Sequence, residues 1–145
     1  MIKSLTTIIV TPTDLVWAQN AAATARALFP GFCREGVAFG CDRQRTPWED
    51  SSLPQVVIAR HWLETQEEIQ TPTRNSYNLK HYAENWAGFY ISNAALIAAA
   101  AGLGINQRLQ DSTSPNTLVA ISKRFLPNYG EHEQRQVTSV IIETP

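Results

Sequence analysis

The chain has 145 residues, of which 43% are hydrophobic and 17% charged, and its formal net charge is −1. A chain of this length and composition can bury one core, which excludes intrinsic disorder and favours a single domain over residues 1–145. The apolar stretch 94–105 is too short to span a bilayer, and the N-terminus lacks the pattern of a secretion signal. The sequence therefore predicts a cytoplasmic protein without a membrane partner.

Segments near both ends of the sequence have strand character. Residues 4–11 and 136–144 are rich in β-branched side chains, and residues 117–122 form a shorter run of the same kind. Turn-forming residues at 110–116 and 127–134 predict loops on either side of that shorter run. We expect the two terminal strands to pair with each other.

A first helix is predicted over residues 15–29. Thr13 or Asp14 can serve as its N-cap, and Pro30 ends it. The following segment, 32–45, contains two glycines and lacks helical periodicity, so it predicts an irregular hairpin or loop.

A second helix is predicted from Pro54 to Ile69. Proline is tolerated in the first turn of a helix because the amide that it lacks would have no intrahelical partner there. Pro72 then prevents the helix from continuing. The apolar face of this second helix consists of Ile58, Trp62, Thr65 and Ile69.

Two further helices, separated by a short turn, are predicted in the middle of the chain. Asn75 or Ser76 caps the first of them and Gly88 ends it, and Ser92 or Asn93 caps the second. Together the elements predict a helix-rich α+β fold. It combines a central, helix-turn-helix-like hairpin over 76–104 with a small sheet built from the N- and C-terminal strands.

The layout of this hairpin and its charge favour a nucleic-acid interface. Residues 74–124 carry five basic and two acidic side chains. In a helix-turn-helix the start of the second helix contacts base edges in the major groove. The predicted base-contacting residues are therefore Tyr90, Ser92, Asn93 and Ala94. The side chains expected to contact phosphates, or another partner, are Arg74, Lys80, His81, Arg108, Lys123 and Arg124.

The composition of the second hairpin helix favours a different interpretation. Alanine occupies positions 94, 95, 98, 99, 100 and 101. A recognition helix needs polar or basic side chains along its exposed face, whereas an alanine-rich helix suits burial between other helices. The same small residues would also permit close approach of two copies, so residues 94–103 predict a possible homodimer contact.

The segment 75–105, followed by Ser114-Pro115-Asn116, resembles small bacterial proteins carried on phages, plasmids and integrated elements, a family without an established activity. The shared pattern covers about a third of the chain. Ala94 stands where that pattern has glycine, and Ile105 where it has an aromatic residue. The resemblance implies an accessory protein of a mobile element. The residues that carry it are Ser76, Tyr77, Leu79, Lys80, His81, Glu84, Tyr90, Ser92, Asn93 and Ile97.

Neither the cysteines nor the histidines form a pattern typical of an enzyme. Cys33 and Cys41 are separated by seven residues, which is not the spacing of a zinc knuckle, and we expect both thiols to be reduced. His61 lies at the edge of an apolar helix face, where a packed histidine is common. His81 lies close to Glu84, which predicts an ion pair as readily as acid–base chemistry. No metal or cofactor is predicted.

Three functional hypotheses therefore stand. The first is a non-enzymatic binding protein of a mobile element that contacts DNA through the hairpin. The second is an inhibitor that binds a host defence protein complex, of the anti-CRISPR or anti-restriction type. The third is a small enzyme that uses His61 or His81.

Overall fold

The computed structural model describes residues 6–37, 47–126 and 135–143. The predicted loop 127–134 and residues 38–45 of the predicted loop 32–45 lie outside these ranges. Within them, the helices are α1 (Pro12–Leu28), α2 (Leu53–Leu63), α3 (Ser76–Ala87) and α4 (Asn93–Gly102). The strands are β1 (Thr6–Val10), β2 (Arg74–Asn75), β3 (Gln107–Leu109), β4 (Thr117–Val119) and β5 (Val137–Ile142).

The predicted pairing of the terminal strands is confirmed. β1 and β5 form a two-stranded parallel sheet, in which Ile8 lies opposite Val140 and Val10 opposite Ile142. Ile8 and Val10 are buried, while Ile9 between them is exposed. This alternation places one face of the sheet on the hydrophobic core and the other in solvent.

Helix α1 begins earlier than the sequence predicted. Its N-cap is Thr11, whose hydroxyl oxygen accepts a hydrogen bond from the Asp14 amide at 3.1 Å, while the Asp14 carboxylate accepts one from the Thr11 amide at 3.0 Å. Pro12 therefore occupies the first helical turn instead of preceding the helix. The prediction of Thr13 or Asp14 as N-cap was wrong because it placed Pro12 outside the helix.

Helix α2 is shorter than predicted and ends at Leu63 rather than Ile69. The Thr65 hydroxyl donates to the Trp62 carbonyl at 2.6 Å, and this side-chain bond competes with continuation of the helix. The Ile69 amide then donates to the Ala120 carbonyl at 2.9 Å. The chain after α2 is thus fixed by the segment that follows β4, a contact that local periodicity cannot reveal.

Helix α4 forms the centre of the molecule. It packs against α1, α2 and α3, and every residue from Asn93 to Ala101 is buried. The interpretation that its alanines suit a core position is confirmed. Because the chain's own helices cover α4, its alanines do not provide a surface for a homodimer. The alanine content of α4 therefore no longer supports the prediction of a homodimer.

Strands β2, β4 and β3 form a second, antiparallel sheet in that order. Only β4 was predicted, as part of 117–122. β2 and β3 have two and three residues, too few for an alternating pattern to stand out from the sequence. In this sheet Arg74 pairs with Val119, and Arg108 pairs with Leu118.

None of the described helices combines the length and apolar composition needed to cross a membrane.

Gly102 allows α4 to approach α1 closely. A Cβ atom added at Gly102 would lie 2.5 Å from the Ala21 Cβ and 2.9 Å from the Trp17 ring. We expect Gly102→Ala to lower the free energy of unfolding by about 1–3 kcal/mol through overpacking. Urea denaturation measures this. Ala23→Met, which adds volume at an exposed position of α1, serves as the control and should change stability little.

Candidate functional site

The turn between α3 and α4 is held in place from two sides. Gly88 ends α3 in the left-handed conformation, with φ of 62°. The Ile91 amide donates to the Glu84 carboxylate at 3.2 Å, and the Ser92 amide donates to the Gln55 side-chain carbonyl at 2.8 Å. Since Ile91 is also fully buried, the exposed ring of Tyr90 projects from a fixed backbone.

Glu84 holds two cationic or potentially cationic side chains of α3. The Lys80 ammonium lies 3.0 Å from one carboxylate oxygen, and His81 Nδ1 lies 3.1 Å from the other. The side chain of Lys80 is only 9% exposed and that of Glu84 only 18%. This spacing, four and three residues along the helix, places all three side chains on one face of α3.

Two tyrosine rings flank the Lys80 ammonium. Its nitrogen lies 5.2 Å from the ring centroid of Tyr77 and 5.3 Å from that of Tyr90, distances typical of cation–π contacts. The Tyr77 ring also meets the ring of His81 edge to face at 4.6 Å. Tyr77 and Tyr90 are 48% and 64% exposed, so both rings have area available to a ligand.

These side chains open onto a cavity of about 440 Å³, which we call the tyrosine–lysine cavity. Arg34 and Glu35 come from the segment after α1, and Gln55 comes from α2. Arg34 forms a long, half-exposed ion pair with Glu49 at 3.7 Å, a kind of contact that contributes little to stability. The residues lining the cavity are Arg34, Glu35, Ser52, Gln55, Tyr77, Lys80, Tyr90, Ser92 and Asn93.

The side chain of Asn93 joins the segments around this cavity. Its amide nitrogen donates to the Glu35 carbonyl at 3.3 Å, the Pro115 carbonyl at 3.1 Å and the Asn116 side-chain oxygen at 3.0 Å. Its oxygen accepts from the Ser76 hydroxyl at 2.8 Å. Asn93 is buried, and its hydrogen-bonding capacity is used within the protein.

Glycine at position 36 lets the Arg34–Glu35 segment reach Asn93. A Cβ atom there would lie 2.1 Å from the Pro115 carbonyl oxygen, and the φ of Gly36, +146°, disfavours residues other than glycine.

The loop that carries Pro115 has its own hydrogen bonds. The Asp111 carboxylate accepts from the Thr113 amide and hydroxyl and from the Ser114 amide. These hydrogen bonds, chiefly those from Thr113, hold the pKa of Asp111 below its ordinary value, because they stabilise the charged carboxylate.

The structure brings together part of the predicted site. Lys80, Tyr90, Ser92 and Asn93 line the tyrosine–lysine cavity, and His81 contacts Glu84 beside it. The remaining predicted residues lie elsewhere. Arg74 lies in β2, Arg108 in β3, and Lys123 and Arg124 in the short 3-10 turn after β4, where Arg124 pairs with Glu67 at 3.3 Å.

The basic residues therefore do not share one surface. Arg74 pairs with Val119, and Arg108 pairs with its neighbour Leu118, so the two arginines point to opposite faces of the antiparallel sheet.

The start of α4 is not shaped for base reading. Asn93 and Ala94 are 8% and 0% exposed, so neither side chain can enter a DNA groove. The physical reason is composition, since alanine leaves α4 no long polar side chains that would hold it at the surface.

Several cavity residues were not among the predicted site residues. Arg34, Glu35, Ser52 and Gln55 lie in segments without a recognisable motif, and only the fold brings them to the cavity. Tyr77 could have been found, because it lies in the segment whose sequence resembles the mobile-element proteins.

Among the described residues, those considered for catalysis or metal binding do not form a cluster apart from the tyrosine–lysine cavity. His61 is exposed on α2. Cys33 is disulfide-bonded, so the prediction of reduced thiols was wrong for this residue: a low cysteine count does not show whether a thiol lies next to another. Cys41 lies outside the described residues. Within the described ranges, no group of three His, Cys, Asp or Glu side chains could hold a metal ion.

No protein-family model, curated protein sequence or solved structure matches the chain.

Replacing Asn93 tests whether its amide supports the cavity. We expect Asn93→Ala to lower the free energy of unfolding by about 1–3 kcal/mol, because it removes the acceptor of the buried Ser76 hydroxyl and a donor to the Glu35 and Pro115 carbonyls. Asn106→Ala is the matched control, since that exposed amide makes one hydrogen bond, to the Gln70 carbonyl. Urea denaturation of both variants compares them, and equal losses would contradict the assignment.

Proposed function

We propose that the chain is a non-enzymatic binding protein that holds one unstacked base of single-stranded nucleic acid against Tyr77 and Tyr90, with the adjoining phosphate near Lys80 and Arg34. The observation that carries this proposal is the pair of exposed tyrosine rings on either side of a buried ammonium group. Aromatic rings beside cationic side chains are the usual means by which proteins hold unpaired bases.

The size of the tyrosine–lysine cavity supports a ligand of this kind. Its volume of about 440 Å³ lies within the range of pockets that hold small organic ligands. The side-chain amide of Gln55 lies in the wall, and its oxygen already accepts from the Ser92 amide. The Gln55 side-chain nitrogen can therefore donate a hydrogen bond to a base edge.

The charges around the cavity favour a ligand with one phosphate rather than a long polyanion. Arg34 and Lys80 supply positive charge, but Glu35 lies in the wall and Glu84 pairs directly with Lys80. Near-neutral surroundings attract a duplex backbone weakly. We therefore expect the cavity to bind a single nucleotide unit, rather than α4 to bind in a groove of duplex DNA.

The resemblance to mobile-element proteins adds a second line of support. Three parts of the shared pattern contribute to the tyrosine–lysine cavity. The first part supplies Tyr77 and Lys80, the second supplies Tyr90 and Asn93, and the Ser-Pro-Asn part holds the Asn93 amide through Pro115 and Asn116. We infer that an accessory function on such an element would act through this cavity.

A protein partner is the second candidate. Tyrosine and arginine are the residue types that most often dominate protein–protein binding, and Tyr77, Tyr90 and Arg34 are all at least partly exposed around the cavity. In that case the cavity would take an aromatic or acidic side chain of a host complex. The absence of any affinity for single-stranded nucleic acid at low salt would favour this candidate.

Tyr90→Ala tests the stacking role of the exposed ring. We expect the affinity for a fluorescently labelled single-stranded oligonucleotide, measured by anisotropy, to fall about 5- to 100-fold, the effect of losing one stacked base. Because Tyr90 is 64% exposed, the fold should be unaffected. Tyr90→Phe keeps the ring and should keep most of the affinity.

Phe125→Ala is the matched control for this experiment. Phe125 is also an exposed ring beside an arginine, with the Arg124 guanidinium 5.2 Å from its centroid, but it does not line the tyrosine–lysine cavity. Its loss should leave the affinity unchanged. Equal effects of the Tyr90 and Phe125 substitutions would contradict a specific role for the cavity.

Lys80→Gln tests the phosphate contact. Glutamine retains a donor for Glu84 but removes the charge, so the affinity should fall, and the slope of log affinity against log salt should become shallower by about 0.7. Lys123→Gln removes an exposed charge away from the cavity and should leave the slope unchanged. If both substitutions changed the slope of log affinity against log salt equally, the charge of Lys80 would have no specific role, and binding would depend on the overall charge of the protein.

A further inference from the structure

A small cavity lies beside Arg74, on the other side of α3. Arg74 is half-buried, and its Nε atom is buried without a hydrogen-bond partner. It begins β2, directly before Asn75, the N-cap of α3. Among the described residues, no carboxylate forms an ion pair with its guanidinium.

Arg74 lines a small polar cavity of about 190 Å³. Thr73, Asn78 and Tyr82, whose side chains carry polar groups, line the same cavity. Successive residues of a helix are 100° apart, so Asn78 and Tyr82 lie on the face of α3 opposite Lys80 and Glu84. This cavity is therefore separate from the tyrosine–lysine cavity.

Arg60, the other half-buried arginine in the described ranges, makes a useful comparison. Its Nε also lacks a hydrogen bond, but it lies 3.5 Å from a Glu64 oxygen, and its guanidinium stacks 4.2 Å above the Trp17 ring. The charge of Arg60 is thus compensated within the protein. Arg74 has no comparable partner among the described residues.

Burial of an unpartnered guanidinium N–H is unfavourable, because the group loses water and gains no acceptor. An oxyanion in the cavity would form charge-assisted hydrogen bonds with the Arg74 guanidinium, which has no ion-pair partner among the described residues. The positive end of α3 would add a favourable potential at the same place. We propose that the Arg74 cavity binds an oxyanion of the phosphate type, either as free phosphate or as the phosphate group of a larger molecule.

This inference does not depend on the proposed function of the tyrosine–lysine cavity. Inorganic phosphate is the first probe, added to the full chain while the Nε–Hε resonance of Arg74 is followed by NMR. The resonance should shift saturably with phosphate but not with chloride at equal ionic strength. Phosphate should also raise the Tm of the wild-type protein, as a ligand of the folded state does.

Arg74→Gln should abolish the rise in Tm, whereas Arg108→Gln, on the opposite face of the same sheet, should retain it. A short single-stranded oligonucleotide forms the second arm. A shift of the Arg74 resonance with the oligonucleotide but not with phosphate would identify a phosphodiester as the source of the oxyanion, and a shift with inorganic phosphate would identify the free anion. If neither probe moves the resonance, or if Arg74→Gln keeps the full rise in Tm, the site is refuted.

Discussion

The hydrogen bonds of the Asn93 amide connect segments that are far apart in the sequence. One side chain at the start of α4 holds the carbonyl of Glu35, the loop at Pro115 and Asn116, and the hydroxyl of Ser76. The Ser76 hydroxyl in turn accepts from the Thr117 amide at 3.0 Å. The start of α3, the start of β4 and the wall of the tyrosine–lysine cavity therefore depend on a single buried amide.

Beside this network, the side chain of Lys80 is almost fully buried. Burial of an ammonium group is costly unless it is paired and hydrogen-bonded. Lys80 meets both requirements through Glu84, while the faces of two tyrosine rings offer it additional negative potential. The pair is thus fixed in position before any ligand arrives, which favours binding because little side-chain freedom remains to be lost.

Sequence reasoning located the elements whose signals are local. The pairing of terminal strands, the hairpin and the burial of α4 follow from β-branched runs, caps and alanine content. The errors have local causes too: Pro12 belongs to α1 instead of preceding it, and Thr65 helps end α2 before Ile69. The sequence identified only part of the tyrosine–lysine cavity, since Arg34 and Gln55 reach it through tertiary contacts that sequence spacing does not predict.

The parallel pairing of β1 with β5 determines when the protein can complete its fold. The two strands lie far apart in the sequence, so β1 leaves the ribosome well before β5 and has no partner strand until β5 has been synthesised. During that interval the unpaired backbone edge of β1 and the side chain of Ile9 are open to strands of other nascent chains. Such long-range closure also slows folding. Translation rate and chaperone supply should therefore influence the yield of folded protein more than its final stability does.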